Sequence, residues 1–394
     1  MNIPVLKDAN LKGKKVLLRC DLNVPLSDDG KIEDNTRITE SLDTIRYILE
    51  NGAKVIILTH LGRPDGKFIE SLKVDVIGKE LELLLNTKVI KLDDCVGDDV
   101  VNQLKEMNSD IYILENTRFH AEEEKNDESF AKKLSSYADI FVNDAFGTVH
   151  RAHASTAGVA KFLPSYAGLL LQKEIEVLSG LLENPKKPVC LLTGGAKIDT
   201  KIGILNNFLN LADFFLIGGA LANTFLAAKG KNIGSSLFEK EKLEVAKKFL
   251  IDAEKMGKKV LLPVDVVVAK DINKESVAET VNVDLVLNDM KILDLGKNTI
   301  INFQGLINES ATVIWNGPMG LYEYPQFEDG TKEIAFKLSN SHITTIIGGG
   351  DTIDAINKFG IPLEKFTHIS TGGGAMLEFL EGKTLPGIQA LMSR

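Results

Sequence analysis

Short apolar runs alternate with loops and amphipathic stretches along the whole chain. In the first half the runs are 15–20 (KVLLRC), 54–59 (KVIILT), 111–114 (IYIL) and 139–143 (DIFVN). In the second they are 188–193 (PVCLLT), 213–217 (DFFLI), 259–262, 312–316 (TVIWN) and 342–347 (HITTII). They are rich in Val and Ile with little polar alternation, the pattern of strands buried on both faces of a parallel sheet. Residues 37–51 read as a helix, because Ile38, Leu42, Ile45 and Leu49 recur on one stripe and Gly52 comes next as a stop. Residues 168–183 are apolar and charged at helical spacing, then Asn184-Pro185 and Pro188 break the pattern. Strand–helix alternation on both sides of that segment predicts two α/β domains, each with a mainly parallel sheet, linked by a helix.

Composition narrows this little but usefully. The 394 residues suggest two to three domains at roughly 150 residues each. With 44% hydrophobic and 26% charged residues the chain is globular, neither disordered nor fibrous. A net charge of −9 argues against a nucleic-acid partner, which calls for a basic face. Cys20, Cys95 and Cys190 are odd in number and form no C-x-x-C pair, so a reducing, cytoplasmic setting is expected rather than a disulfide framework. The opening residues hold no apolar run of signal-peptide length, and no window reaches the ~18 apolar residues of a membrane span, so no membrane partner is expected.

Arginine and glycine are unevenly spread. Six of the seven Arg fall in residues 1–170, while 23 of the 33 Gly come after residue 170. In open parallel sheets ligands bind beyond the carboxyl ends of the strands. Beyond the predicted strands of the first half stand Asp21-Leu22-Asn23, His60-Leu61-Gly62-Arg63, Glu115-Asn116-Thr117-Arg118, and Asp144 through Arg151 and His153; Arg37 opens the first helix. Guanidinium groups grip carboxylate and phosphate bidentately. Arg37, Arg63, Arg118 and Arg151, at equivalent topological positions, therefore predict a small, multiply anionic ligand. Arg46 reads as a surface charge, and Arg19, inside a strand, as the partner of a buried carboxylate. His150 and His153 lack a third nearby His or Cys, which argues against zinc between them.

The second half offers four glycine turns after strands: Gly194-Gly195, Gly218-Gly219, Gly348-Gly349-Gly350 and Gly372-Gly373-Gly374. Backbone N–H groups at such turns donate to phosphate, and Lys197 and Lys201 lie just past the first of them, so a nucleoside di- or triphosphate is the natural ligand. Gly382-Lys383-Thr384 is no P-loop, because its first glycine would fall on Leu377. There is also no G-x-G-x-x-G after a strand, and no kinase-type H-R-D or D-F-G. Asp351 reads either as a helix cap or as a Mg²⁺ ligand.

An anionic metabolite on one domain and a nucleotide on the other describe a phosphoryl transferase that closes to join its substrates. The nucleophile is already an anionic oxygen, so the catalyst should be cations, Mg²⁺ and backbone N–H groups rather than a general base. Lys197 and Arg37 fit that need. A non-catalytic two-domain anion-binding protein and another acyl-phosphate kinase remain the alternatives on the residues alone.

The same segments, from Arg19–Pro25 through His60–Pro64, Glu115–Phe119, Phe146–Ser155, Gly194–Lys201, Trp315–Gly320, Gly348–Thr352 and Thr371–Gly374, resemble the phosphoglycerate kinase family over essentially the whole chain. The resemblance implies two Rossmann-like α/β domains joined by a helical hinge: 1–168 with 388–394 for the glycerate phosphate, 169–187 as the hinge helix, and 188–387 for the nucleotide. It implies a monomer that passes the 1-phosphoryl group of 1,3-bisphosphoglycerate to Mg-ADP, giving 3-phosphoglycerate and ATP. Asp21, Asn23 and Arg37 are implied to hold the glycerate, and His60, Arg63, Arg118 and Arg151 its 3-phosphate. Arg37, Lys197, Gly350 and Gly373 are implied to serve the transferring phosphoryl, and Asp351 the Mg²⁺. The implied nucleotide site comprises Gly195, Lys201, Gly219, Leu293, Asn316, Leu321, Glu323, Gly349, Gly350, Asp351 and Thr352. Met376 stands where the family's last turn continues to Ala-Ser, and Ile292 where some members carry Gly.

Overall fold

The structure, a computed structural model, describes residues 3–392. Its chain divides into two compact units, Met1–Val177 with Thr384–Arg394, and Leu178–Lys383. The division falls inside the helix Leu169–Glu183, and the chain re-enters the first unit at Thr384, four residues before the expected 388. Ser393 and Arg394, the end of that expected return, lie outside the described residues.

The first unit is built on one six-stranded parallel sheet. Its strands are β1 (Lys15–Arg19), β2 (Lys54–Leu58), β3 (Val89–Lys91), β4 (Ile111–Ile113), β5 (Ile140–Asn143) and β6 (Ser165–Ala167). Their spatial order is β3-β4-β2-β1-β5-β6, every pair parallel. Central strands bury both faces, which is why β1, β2, β4 and β5 read as unbroken apolar runs. The helix Thr36–Glu50 lays Ile38, Leu42, Ile45 and Ile48 against that core and ends before Gly52, whose φ of +75° suits the turn. The chain builds outward from β1 through β2, then returns to place β5 on the other side of β1. This reversal opens a crevice at the carboxyl ends of β1 and β5, where ligands bind in such sheets.

The second unit repeats the plan. β7 (Val189–Thr193), β8 (Phe214–Ile217), β9 (Lys259–Leu261), β13 (Thr312–Asn316), β14 (Thr344–Gly348) and β15 (His368–Ile369) form a parallel sheet of order β15-β14-β13-β7-β8-β9. Its reversal lies between β7 and β13. The core on one face gathers Cys190, Leu192, Phe303, Trp315, Ile334 and Ile347. This unit also carries a three-stranded antiparallel sheet absent from the sequence expectation: β10 (Asp265–Ala269), β11 (Glu279–Asn282) and β12 (Lys291–Leu295), in the order β11-β10-β12. Both outer strands are largely exposed or half-buried, so their sequences carry no continuous apolar run. Among the described residues no helix is long and apolar enough to cross a membrane.

Candidate functional site

In the first unit the chemistry collects at the β1/β5 reversal. Arg19 ends β1 with 1% of its surface exposed. Its guanidinium donates to Ser155 Oγ at 2.9 Å, to the Cys20 carbonyl, and to His60 Nδ1 at 3.1 Å. Because guanidinium only donates, His60 Nδ1 must accept, which makes the ring neutral and puts its proton on Nε2. Burial first, then the charges of Arg19, Arg118, Arg37 and His153, hold the His60 pKa well below its ordinary value. His60 is thus a neutral N–H donor inside a cationic field. His153 behaves alike, lowered to about 4 by burial and then by Arg118, Arg19 and Arg151.

That field needs a counter-charge, and Glu123 supplies it. Its carboxylate is 1% exposed and accepts from Ser155 N at 2.9 Å and Ser155 Oγ at 2.5 Å. Burial raises its pKa, and the charge of Arg19 is the largest influence lowering it. Ser155, on the wide turn Ala154–Gly158, therefore bridges Glu123 and Arg19. Sequence reasoning named Arg19 and its buried carboxylate without finding Glu123, which lies in an acidic stretch that looks wholly solvated.

The expected ligand residues surround this core. Asp21 Oδ2 accepts from Arg37 Nη1 at 3.1 Å, and Asn23 Oδ1 accepts from Gly62 N at 2.7 Å, tying the loops after β1 and β2 together. Arg118 is 5% exposed; its Nη1 donates to the Gly62 carbonyl at 2.9 Å. Its Nε lies 3.1 Å from Glu124 Oε1 but off the hydrogen-bond direction, so that contact is one of charge alone. Arg151 Nε donates to His150 Nε2 at 3.1 Å. Arg37, Arg118, Arg151, His60 and His153 thus share one field. Arg63 differs: its side chain is exposed and has no hydrogen-bond or ion-pair partner among the described residues.

In the second unit the glycine turns meet at the β7/β13 reversal. Gly194 N donates to the Asn316 carbonyl at 3.1 Å and Gly195 N to the Pro318 carbonyl at 2.9 Å. Gly219 has φ +60°, and a Cβ there would stand 2.8–2.9 Å from Gly195 backbone and the Pro318 oxygen, so only glycine fits. Lys201, 8% exposed, donates to Asn316 Oδ1; burial lowers its pKa to about 8, against an opposing influence from Asp351. The other end of that amide, Asn316 Nδ2, is buried without a partner and lies beside Gly349, which has φ +96°. A buried donor left unpaired beside a glycine turn is free to donate to an anionic ligand.

Thr352 Oγ1 accepts from Gly317 N at 2.8 Å, fastening the helix Gly350–Lys358 to the loop after β13. Asp351, Lys197 and Glu323 are exposed. Gly373 has φ +49° and precedes the helix Gly374–Leu380. Met376 of that helix is buried, its Sδ occupying the space where a Cβ on Gly348 would go. Leu321 N donates to the Leu293 carbonyl at 2.9 Å. Leu293 and Ile292, both on β12, line a small cavity with Gly219, Asn223, Pro263 and Met319. The antiparallel sheet that the sequence did not reveal therefore carries one wall of the expected nucleotide pocket.

Residues 6–383 match the family described as phosphoglycerate kinase. A curated relative of that name from Finegoldia magna is 49% identical over 397 residues, covering 100% of both chains. One from Dictyoglomus turgidum is 49% identical over 391 residues, covering 99% of this chain and 98% of its own. Among solved structures, phosphoglycerate kinase from Coxiella burnetii superposes with a TM-score of 0.88 at 40% identity, covering 100% of both chains. That from Pyrococcus horikoshii gives 0.86 at 35%, covering 99% of this chain and 98% of its own. With the family match over nearly the whole length, full-length relatives and two parallel six-stranded sheets in agreement, the chain belongs to the phosphoglycerate kinase family.

Proposed function

We propose that this chain is a cytoplasmic, monomeric enzyme that reversibly transfers the 1-phosphoryl group of 1,3-bisphosphoglycerate to Mg²⁺-bound ADP, giving 3-phosphoglycerate and ATP. The observation that carries the reading is that each parallel sheet has anion-recognising groups at its own strand-order reversal. One has the Arg19–His60–Arg118 cluster; the other has Lys201, the unpaired Asn316 amide and the glycine turns.

The 3-phosphate, an oxyanion that does not react, suits the guanidinium groups of Arg118 and Arg151 and the Nε2–H of His60, with Arg63 free to join. Asp21 and Asn23 orient the glycerate, and Arg37 steadies its carboxyl end. On the nucleotide side Lys201, Asn316, Gly195 and the Gly349-Gly350-Asp351-Thr352 turn receive the phosphates. Gly219, Leu293 and Leu321 hold adenine and ribose, with Glu323 at the ribose hydroxyls. In the transfer a terminal oxygen of ADP forms a bond to phosphorus as the bond to the glycerate carboxyl oxygen breaks, and no proton moves. Lys197 and the Gly350 and Gly373 N–H groups meet the charge that spreads over the equatorial oxygens. Asp351, an exposed carboxylate in the first turn of its helix near Lys201, fits Mg²⁺, which takes one or two carboxylates plus substrate phosphates. Magnesium, when bound with the nucleotide, neutralises phosphate charge.

The test is turnover of purified protein with ATP, Mg²⁺ and 3-phosphoglycerate, read through a coupled dehydrogenase as NADH loss. Activity that needs all three components is the expected result. A folded, nucleotide-binding protein inactive with 3-phosphoglycerate would replace the reading with another acceptor acid.

A further inference from the structure

The loop after β3 and the turn after β4 bring together three side chains that the proposed reaction does not use. Asp94 and Cys95 lie beyond β3, and His120 closes the turn Thr117–Phe119. A carboxylate oxygen, the Cys95 sulfur and a ring nitrogen of His120 all lie within 4.8 Å of one another, the one such group of three among the described residues. His120 Nε2 stands 2.6 Å from Asp94 Oδ1, and the buried Cys95 thiol donates to the Glu115 carbonyl at 2.8 Å. The side chains of His120 and Asp94 are 24% and 51% exposed, so an aqueous ion reaches the two groups that flank the buried sulfur. The other two thiols, Cys20 and Cys190, are buried and belong to no such group.

We propose that Asp94, Cys95 and His120 form a binding site for a zinc-type divalent ion, with water as fourth ligand. The donor set decides the class of ion. A hard cation such as Mg²⁺ or Ca²⁺ takes oxygens, whereas sulfur, imidazole nitrogen and one carboxylate together suit a borderline-soft ion. Three protein ligands and an open position are a recurrent tetrahedral arrangement. With bonds of about 2.0–2.3 Å, tetrahedral donors sit roughly 3.3–3.7 Å apart. Ligation therefore parts the Asp94–His120 pair by about 1 Å and draws the thiol inward, within the reach of side-chain rotation. The S–H bond breaks, its proton leaves to solvent, and sulfur supplies both electrons of the metal bond, so nothing is oxidised or reduced. The competing description is an Asp–His hydrogen bond beside an inert buried thiol, which the same distances accommodate without any ion.

Cobalt(II) separates the two, since a thiolate ligand gives a near-ultraviolet charge-transfer band and tetrahedral geometry gives strong visible bands. Added at one equivalent to the full chain without nucleotide, cobalt should develop both, and zinc should abolish them. Cys95→Ser should lose the charge-transfer band. His120→Gln, at a half-buried position outside the apolar core, should lose the tetrahedral bands while circular dichroism stays that of the parent. A parent protein with no charge-transfer band at one equivalent overturns the proposal, as does a band that survives Cys95→Ser or binding unchanged in His120→Gln. Cobalt at the exposed Asp351 carboxylate gives no thiolate band, so the two sites are distinguishable.

Discussion

Arg19→Met removes one charge from a buried pair while keeping most of the stem that fills β1's end. The guanidinium loses its bonds to Ser155, His60 and the Cys20 carbonyl. Glu123 then keeps the two Ser155 donors but not the charge that most lowers its pKa. Removing the counter-charge of a buried carboxylate costs about 3–5 kcal/mol, mostly the penalty of the charge left behind; here Ser155 Oγ links the two groups. At roughly 2–4 °C per kcal/mol for a unit of this size, the first unit's melting temperature should fall by about 6–20 °C. Calorimetry on the full chain reads this; fluorescence does not, because the single tryptophan, Trp315, lies in the other unit. The sign with pH comes from Glu123. Without Arg19 its folded-state pKa rises further above the unfolded value of about 4.3, and stability is lost as pH rises through it. The deficit should therefore be larger near pH 8 than near pH 5. Adding Glu123→Gln should recover most of the loss. A deficit under about 1 kcal/mol at the higher pH, or no recovery in that double variant, would refute the charge-pair account.

Lys197→Ala should lower turnover by orders of magnitude while both substrates bind nearly as before; steady-state kinetics with equal losses in binding and turnover would remove it from the transferring phosphoryl. Arg118→Ala should weaken 3-phosphoglycerate affinity at least about tenfold and leave ADP affinity alone, as titration calorimetry with each ligand would read. Gly219→Ala, forced against Gly195 and the Pro318 carbonyl, should weaken nucleotide binding selectively, and an unchanged ADP affinity would show that the turn yields freely. Lys201, lowered to about 8, should be pulled back up by nucleotide phosphates, so ADP binding near pH 8–9 should take up protons; calorimetry in buffers of different ionisation enthalpy measures that number, and proton release would contradict the assignment.

The strands that carry the sites were legible because burial on both faces forces an unbroken apolar run. KVLLR at β1 and TVIWN at β13 are of this kind, and the polar residues expected past them do lie at the carboxyl ends of a parallel sheet. The antiparallel sheet escaped because most residues of β11 and β12 are partly or fully exposed, leaving no periodic imprint. Arg118 and Arg63 look equivalent in sequence, each a few residues beyond a strand. Only the fold distinguishes the first, buried and held by the Gly62 carbonyl, from the second, which is exposed. Glu123 is hidden for the opposite reason: it sits in Glu122-Glu123-Glu124, where one carboxylate turns inward to Ser155 and its neighbours stay outside. Nor does Cys95 announce His120 twenty-five positions away, since the two meet only through the adjacency of β3 and β4.

The return of the chain to its first unit has a consequence for synthesis. The helix Pro386–Met392 is anchored by Gly387 N donating to the Val149 carbonyl at 2.8 Å, and it buries Ile388 and Leu391. It packs on the Ala154–Gly158 turn, which holds Ser155 between Arg19 and Glu123. On the ribosome the whole of residues 178–383 must emerge before that helix exists. The second unit is thus complete while the earlier-made unit still lacks the piece that braces its arginine cluster. The half of the enzyme translated first is the half finished last, and a released chain truncated just short of residue 386 should have a formed second unit and a first unit whose arginine cluster is unbraced.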